Sequence, residues 1–344
     1  MSTLSVLSLP VAISMGDPAG IGPEIILKAF AQSPDLTQGC CVFGDMPAMQ
    51  HHLTQLNPTL SKPLVLVAVS DVAQALDCSQ HHVPVLQTGL SQPFAVGQIS
   101  AAAGAMAAAA ITAATQAALQ GKVSALVTAP LHKKALQLSG VEFPGHTEML
   151  QSLAAKHLGV SVNDLPVRMM LSCPSLRVVL VSIHVALREA IERVTTAQVL
   201  QTLQVTHSSW LNVYGQAPRM RVAGLNPHAG EEGLFGDEEI RFIAPAIQQA
   251  QALGMNVSGP YPPDTVFMYA HSEQGQQEVD VVVAMYHDQG LIPVKYLGLD
   301  NGVNQTLGLP FVRTSPDHGT AFDIAGKGMA DPRSFLAALK VAKG

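Results

Sequence analysis

The stretch VAISMGDPAGIGPE, residues 11–24, decides how the rest of the chain is read. Val11 to Met15 is an apolar run of strand length. Gly16 to Gly22 is glycine-rich punctuation, and Pro23-Glu24 suits the first turn of a helix continuing to Phe30. Strand, glycine loop and helix in that order open an α/β unit.

Working outward, the same alternation repeats. Apolar runs at 40–43, 64–69 and 123–128 read as strands, and a long alanine-rich helix runs from Gly97 to Leu119, closed by Gly121. A second series follows, with a helix at 147–157 and strands at 167–171 and 177–182 joined by a turn at 172–175. A helix at 195–210 and a strand at 220–225 come next. An amphipathic helix at 237–253 carries Ile240, Ile243, Ala244 and Ile247 at helical spacing. Residues 279–285 form an unbroken apolar run of the fully buried type, and a helix at 332–342 closes the chain. This pattern predicts a mostly parallel sheet with helices on both faces, and there is no internal repeat.

Composition narrows the function classes. The chain has 344 residues, 48 % apolar and 13 % charged, which is long enough for two domains with sizeable cores. A net charge of −6 argues against a nucleic-acid partner, which favours a basic stripe. Cys40, Cys41, Cys78 and Cys173 show no metal-ligand spacing and fit a reducing, cytoplasmic compartment. Residues 101–119 are nearly free of charge, but alanine and threonine make a poor membrane span, so a buried or interface-packed helix is expected and no membrane association.

Polar chemistry concentrates where strands should end. His184, His228 and His287 lie in three separate segments, each at or just past a strand end, where ligands bind in open α/β sheets. Three converging imidazoles would hold a divalent metal, zinc or cobalt in preference to magnesium. The alternative is three unrelated histidines in a chain of thirteen. His146 and Thr147 stand at a helix start, where Thr147 can cap and free amides can hold an anion. Asp264 follows the rigid turn Pro262-Pro263. Lys295 sits in an apolar stretch where burial would need an anionic partner. Asn304 and Arg313 flank another apolar segment, and Arg313 could bind a phosphate or serve a structural ion pair. Residues 317–328 form a glycine-rich loop able to approach a ligand closely. No strand is followed by GxGxxG, so a Rossmann dinucleotide site is not supported.

Taken together, MGDPAGIGPE (15–24), TAPLHK (128–133), FPGHTE (143–148), NPHAGE (226–231), PPDT (262–265), AMYHDQGL (284–291) and the 302–328 segment resemble the 4-hydroxythreonine-4-phosphate dehydrogenase family of pyridoxal phosphate biosynthesis. The resemblance implies an isocitrate/isopropylmalate dehydrogenase-like fold with two α/β domains and an active-site cleft between them. Residues 1–135 and 300–344 would form the cofactor-side domain, and 136–299 the substrate, metal and dimerisation domain. It implies a homodimer whose metal is held by His184, His228 and His287, with one ligand from the partner subunit. His146, Thr147, Lys295, Asn304 and Arg313 match substrate-binding positions, and Asp264 and Lys295 match catalytic ones.

By the same resemblance the 317–328 loop binds NAD or NADP through Gly319, Thr320, Ala321 and Asp323. The implied reaction is NAD(P)-dependent, metal-dependent oxidation and decarboxylation of 4-phosphohydroxy-L-threonine to 3-amino-2-oxopropyl phosphate and CO2. Extra residues around 157–164, and Val185 to Ala190 after His184, also resemble a branch that oxidises D-threonate or D-erythronate 4-phosphate. A further branch oxidises a cyclic dihydrodiol dicarboxylate. A different class, a metal-dependent sugar-phosphate binding or isomerising protein, would keep the histidines and Arg313 but need no nicotinamide.

Overall fold

The computed structural model describes residues 9–298 and 301–344. Residues 1–8 and 299–300, which the expected domains include, lie outside the described residues. Two compact α/β units are present: one comprises the chain up to Asp164 together with Pro310–Gly344, the other Leu165–Leu309. The divisions differ from those expected at 135/136 and 299/300. The helix His146–Leu158 packs on the helix Ala101–Leu119 and so joins the first unit. Residues 303–307 pair as a strand with 168–172 and so join the second.

The first unit holds strands β1 (Val11–Ser14), β2 (Cys40–Gly44), β3 (Val65–Val69), β4 (His82–Gln87) and β5 (Ala125–Thr128). The second holds β6 (Arg168–Cys173), β7 (Leu176–Leu180), β8 (Met220–Ala223), β9 (Val257–Tyr261), β10 (Val281–Ala284) and β11 (Val303–Leu307). The chain returns to the first unit as β12 (Val312–Pro316). The sheet order in the first unit is β3-β4-β2-β1-β5-β12, and every pair is parallel. β1, β2 and β5 are buried along their whole length, as a parallel sheet covered on both faces requires.

One helix among the described residues, Ala101–Leu119, is long and apolar enough to cross a membrane by length and composition. Most of it is buried inside the first unit, where alanines allow close packing on β1, β2 and β5.

The second unit has the order β11-β6-β7-β10-β8-β9. β7, β10, β8 and β9 are mutually parallel, whereas β6 runs antiparallel to both β11 and β7. The 172–175 turn closes a hairpin, so β6 brings two antiparallel pairings into strands that are otherwise parallel, as expected. β10 shows the two faces directly. Val281 and Val283 pack with Val199, Leu203 and Ile247 on one side, while Val282 and Ala284 pack with Phe267, Leu291 and Val294 on the other.

The amphipathic 237–253 segment is not one α-helix. It begins as a π-helix, Glu239–Ile243, and becomes α-helical at Ala244–Ala252. Pro245 cannot donate the backbone bond that a continuous helix needs there. Ile240, expected to face inward, lies in the π-helix and is 56 % exposed.

Candidate functional site

Each unit carries its own cluster at the carboxyl ends of adjacent parallel strands. In the second unit, β7, β10, β8 and β9 end side by side. Beyond them, in that order, come His184, His287, His228 and Asp264. Gln289 ties two of these ends together, with its Oε1 accepting from Met285 N at 2.7 Å and its Nε2 donating to Gly224 O at 2.7 Å. Ser182 Oγ donates to Met285 O at 3.0 Å and joins a third.

The His184 and His287 rings have centroids 5.7 Å apart. Two imidazoles on one tetrahedral ion stand about 5 Å apart by centroid, given Zn–N of about 2.0–2.1 Å. The pair therefore fits a shared divalent cation. His287 Nδ1 is hydrogen-bonded to Asp288 Oδ1 at 2.7 Å, an arrangement in which Nε2 is the nitrogen that could hold a metal. His228 does not join the pair. Among the described residues no three His, Cys, Asp or Glu side chains stand close enough to hold a metal together. His228 instead lines an open pocket of about 700 Å³ with Asp264, Tyr286 and Asp288.

The turn that carries His228 is unusual. His228, Ala229, Gly230, Glu231 and Glu232 all have positive φ, between 41° and 79°. Left-handed backbone costs about 1–2 kcal/mol for each residue with a Cβ, so something must hold it. Strain of this kind concentrates at functional sites.

Lys295 was expected in a buried setting. It lies on the exposed face of the helix His287–Gly298, because helical periodicity turns Leu291 and Val294 inward instead. Asp264 is also exposed, and Asn304 is half-buried on β11 opposite Leu171.

In the first unit, β1, β5 and β12 are neighbours, and their carboxyl ends lead into residues 16–22, 129–132 and 317–328. Arg313 on β12 is 4 % exposed, and its Nη2 donates to Thr128 Oγ1 at the end of β5, 2.7 Å away. Burial pulls the guanidinium down to about 10, opposed by the Glu148 charge, so it remains charged at neutral pH. His146 opens the 146–158 helix. Burial first, then the nearby Arg313 charge, hold its imidazole well below the ordinary histidine value, opposed by a bond to the Ala129 backbone. Its Nε2 is shielded from solvent with no hydrogen-bond partner among the described residues. Thr147 does not cap this helix, since Gly145 occupies the cap position without a side-chain bond. A neutral imidazole, a buried guanidinium and the Thr128 hydroxyl form a cradle suited to a phosphate or carboxylate.

The 317–328 loop is fixed against the β1 loop. Ile21 N donates to Thr320 O at 3.0 Å, and a Cβ on Gly20 would lie 2.9 Å from Thr320 atoms, so only glycine permits this approach. Lys28 Nζ donates to the carbonyls of Gly328 and Ala330. Thr320 is buried, while Gly319 and Asp323 are exposed and Ala321 is half-buried. Exposed backbone beside a small-residue loop fits the close approach of a dinucleotide.

Asp17 was not singled out by its sequence. It is fully buried in the β1 loop, with N donating to Pro130 O and Oδ1 accepting from Ala19 N, both at 2.9 Å. Its Oδ2 has no hydrogen-bond partner among the described residues, and burial pushes the carboxyl up to about 6. Thr128 and Glu239 were missed as well, for their roles arise from packing that spacing does not encode.

An anion cradle and a glycine-bearing loop in one α/β unit, with an imidazole pair in the other, are features that an α/β oxidoreductase can use. The chain belongs to the PdxA family: residues 37–342 match the family described as pyridoxal phosphate biosynthetic protein PdxA. It is 47 % identical over 339 residues to a 4-hydroxythreonine-4-phosphate dehydrogenase of Beijerinckia indica subsp. indica, covering 98 % of this chain and 95 % of that one. It is 44 % identical over 335 residues to a D-threonate 4-phosphate dehydrogenase of Salmonella typhimurium, covering 96 % and 97 %. The crystal structure of a 4-hydroxythreonine-4-phosphate dehydrogenase from Klebsiella pneumoniae superposes with a TM-score of 0.86 at 40 % identity, covering 98 % and 99 %.

Proposed function

We propose that this chain oxidises 4-phosphohydroxy-L-threonine with NAD or NADP and a divalent metal, releasing 3-amino-2-oxopropyl phosphate and CO2. The observation that carries the reading is the Arg313–Thr128–His146 cradle at the end of β5 and β12, beside a dinucleotide-type loop. Arg313, Thr128, His146 and Thr147 hold the substrate's anionic groups, and the neutral His146 accepts or donates at Nε2 without adding charge. Gly319, Thr320, Ala321 and Asp323 hold the dinucleotide.

His184 and His287 are two ligands of a divalent cation, zinc before cobalt or magnesium. A third ligand, the partner subunit's His228, completes the set in a cytoplasmic homodimer. When bound, the cation would supply Lewis-acid polarisation of an oxygen, and the dinucleotide would supply a hydride acceptor. Asp264 and Lys295, both exposed, serve as the proton-transfer candidates, with Lys295 and Asn304 as further substrate contacts.

D-threonate 4-phosphate is the second reading, favoured by nearly equal identity to a dehydrogenase of that name. Measuring NAD(P)H formation on 4-phosphohydroxy-L-threonine, D-threonate 4-phosphate and D-erythronate 4-phosphate distinguishes them. Turnover of the first at least tenfold better than the others supports the proposal. A reversed ranking supports the second reading, and no turnover on any of them rejects both.

A further inference from the structure

The left-handed turn at 228–232 closes around one buried carboxylate. Glu239 is 3 % exposed and starts the π-helix. Its Oε1 accepts from Leu225 N at 2.7 Å and from Asn226 N at 2.8 Å, and its Oε2 accepts from Asn226 Nδ2 at 2.9 Å. Asn226 Nδ2 also donates to Glu238 Oε2 at 2.6 Å. A Cβ added at Gly224 would lie 3.0 Å from Glu239 Oε1, and one at Gly230 would lie 2.8 Å from Oε2. The carboxylate thus fills the inside of the turn, with glycine backbone on two sides of it.

A single π-helical turn inside a helix is frequently found at functional sites. Here its effect is local. The wider register, started before Pro245, brings Glu239 under the end of β8. Three accepted hydrogen bonds on a buried carboxylate are strong, since bonds to charged acceptors exceed neutral ones. They bind the two residues before Pro227 and so set the direction in which the backbone enters the His228 turn.

We propose that Glu239 is the positioning residue for His228, closing the left-handed turn from inside so that the imidazole projects as a metal ligand. This inference rests on the reading above in which His228 ligates the metal. Glu239 touches neither substrate nor metal; it acts through the turn.

The test is metal binding by metal-free enzyme, measured with cobalt(II) by competition against a chromophoric chelator and by the cobalt absorption spectrum. Glu239→Ala and His228→Ala are compared with wild type, and the melting temperature of each metal-free protein is recorded. Glu239→Ala is expected to weaken cobalt binding at least tenfold and change the spectrum. The KM for phosphorylated substrate should stay within about twofold, and kcat should fall. Loss of melting temperature alone, with wild-type cobalt affinity and spectrum, overturns the positioning role. If Glu239→Ala does not fold, Glu239→Gln decides, because it keeps the volume but presents an amide to Asn226 Nδ2. The same spectral change supports the proposal, and an unchanged spectrum overturns it. Unchanged cobalt affinity in Glu239→Ala beside weakened affinity in His228→Ala overturns the inference and leaves the metal reading standing. Unchanged affinity in His228→Ala overturns both.

Discussion

Arg313 Nη2 donates to Thr128 Oγ1 at 2.7 Å, joining the ends of neighbouring parallel strands β12 and β5. A guanidinium buried to this degree is costly in the absence of hydrogen bonds and a nearby anion. Thr128 fixes one edge of the planar fork, and Glu148 supplies a negative charge from the 146–158 helix. A planar guanidinium fork is the side chain suited to recognising an oxyanion through two parallel bonds.

Replacing Arg313 by Lys should therefore keep the charge and still impair binding, because the fork is lost. Arg313→Ala should raise KM for the phosphorylated substrate by about tenfold or more, since a charge-assisted bond contributes roughly 1.5–3 kcal/mol. Steady-state kinetics check this, and an unchanged KM in Arg313→Ala would exclude the role.

Asp17 and His146 make stability depend on pH in opposite directions. The folded protein holds the Asp17 proton up to about pH 6, whereas the unfolded chain loses it near 3.8. More protons are bound folded than unfolded in that window, so this group's stabilisation is present at low pH and is lost as pH rises from about 4 to 6. His146 is depressed below 6.5, so the unfolded chain binds the extra proton, and its effect is a loss of stability as pH falls below 6.5. Asp17→Asn removes the first effect alone. Relative to wild type, that variant should gain about 2–3 kcal/mol between pH 4 and pH 7, from roughly two pKa units at 1.36 kcal/mol each. Urea unfolding across this range measures it, and a pH-independent difference would contradict the assignment.

Gly20 lies against Thr320 with no room for a Cβ. Gly20→Ala should displace the 317–328 loop and raise the dinucleotide KM by about tenfold, given overpacking costs of roughly 1–3 kcal/mol. Asp323 is exposed on the same loop, and a carboxylate near the ribose disfavours a 2′-phosphate, so NAD is expected to be preferred. Comparing kcat/KM for both dinucleotides in wild type, Gly20→Ala and Asp323→Asn tests both points. A tenfold preference for NADP in wild type would show that Asp323 does not read the ribose.

Much of this arrangement was legible in the sequence, and the parts that were not have physical reasons. The strand–loop–helix opening at 11–30 and the strand-end positions of the three histidines follow from local pattern. The Glu239 π-helix could have been suspected from Pro245 inside an amphipathic run. β4 and β9 escaped because each holds a proline within a short run, at Pro84 and Pro260, which weakens the strand signal. The burial of Asp17 depends on residues 129–130, more than a hundred positions away, and no local signal carries it. Lys295 is exposed because the apolar stretch around Pro293 is a helix with one outward face, which its apolar neighbours alone do not signal.

If the third metal ligand comes from a second subunit, variants in different chains should complement. A His228→Ala chain co-expressed with a chain carrying both His184→Ala and His287→Ala should form mixed dimers with one intact ligand set. About half of the wild-type activity per dimer is expected, beside inactive parents. No recovery in purified mixed dimers would place all three ligands within one chain.

The most direct test of the central claim is the initial rate of NAD(P)H formation on 4-phosphohydroxy-L-threonine by chelator-treated enzyme, before and after zinc or cobalt is restored. The account predicts a rate near zero without metal and recovery on its return, with wild type but not His184→Ala or His287→Ala. A full rate in verified metal-free wild type would contradict it.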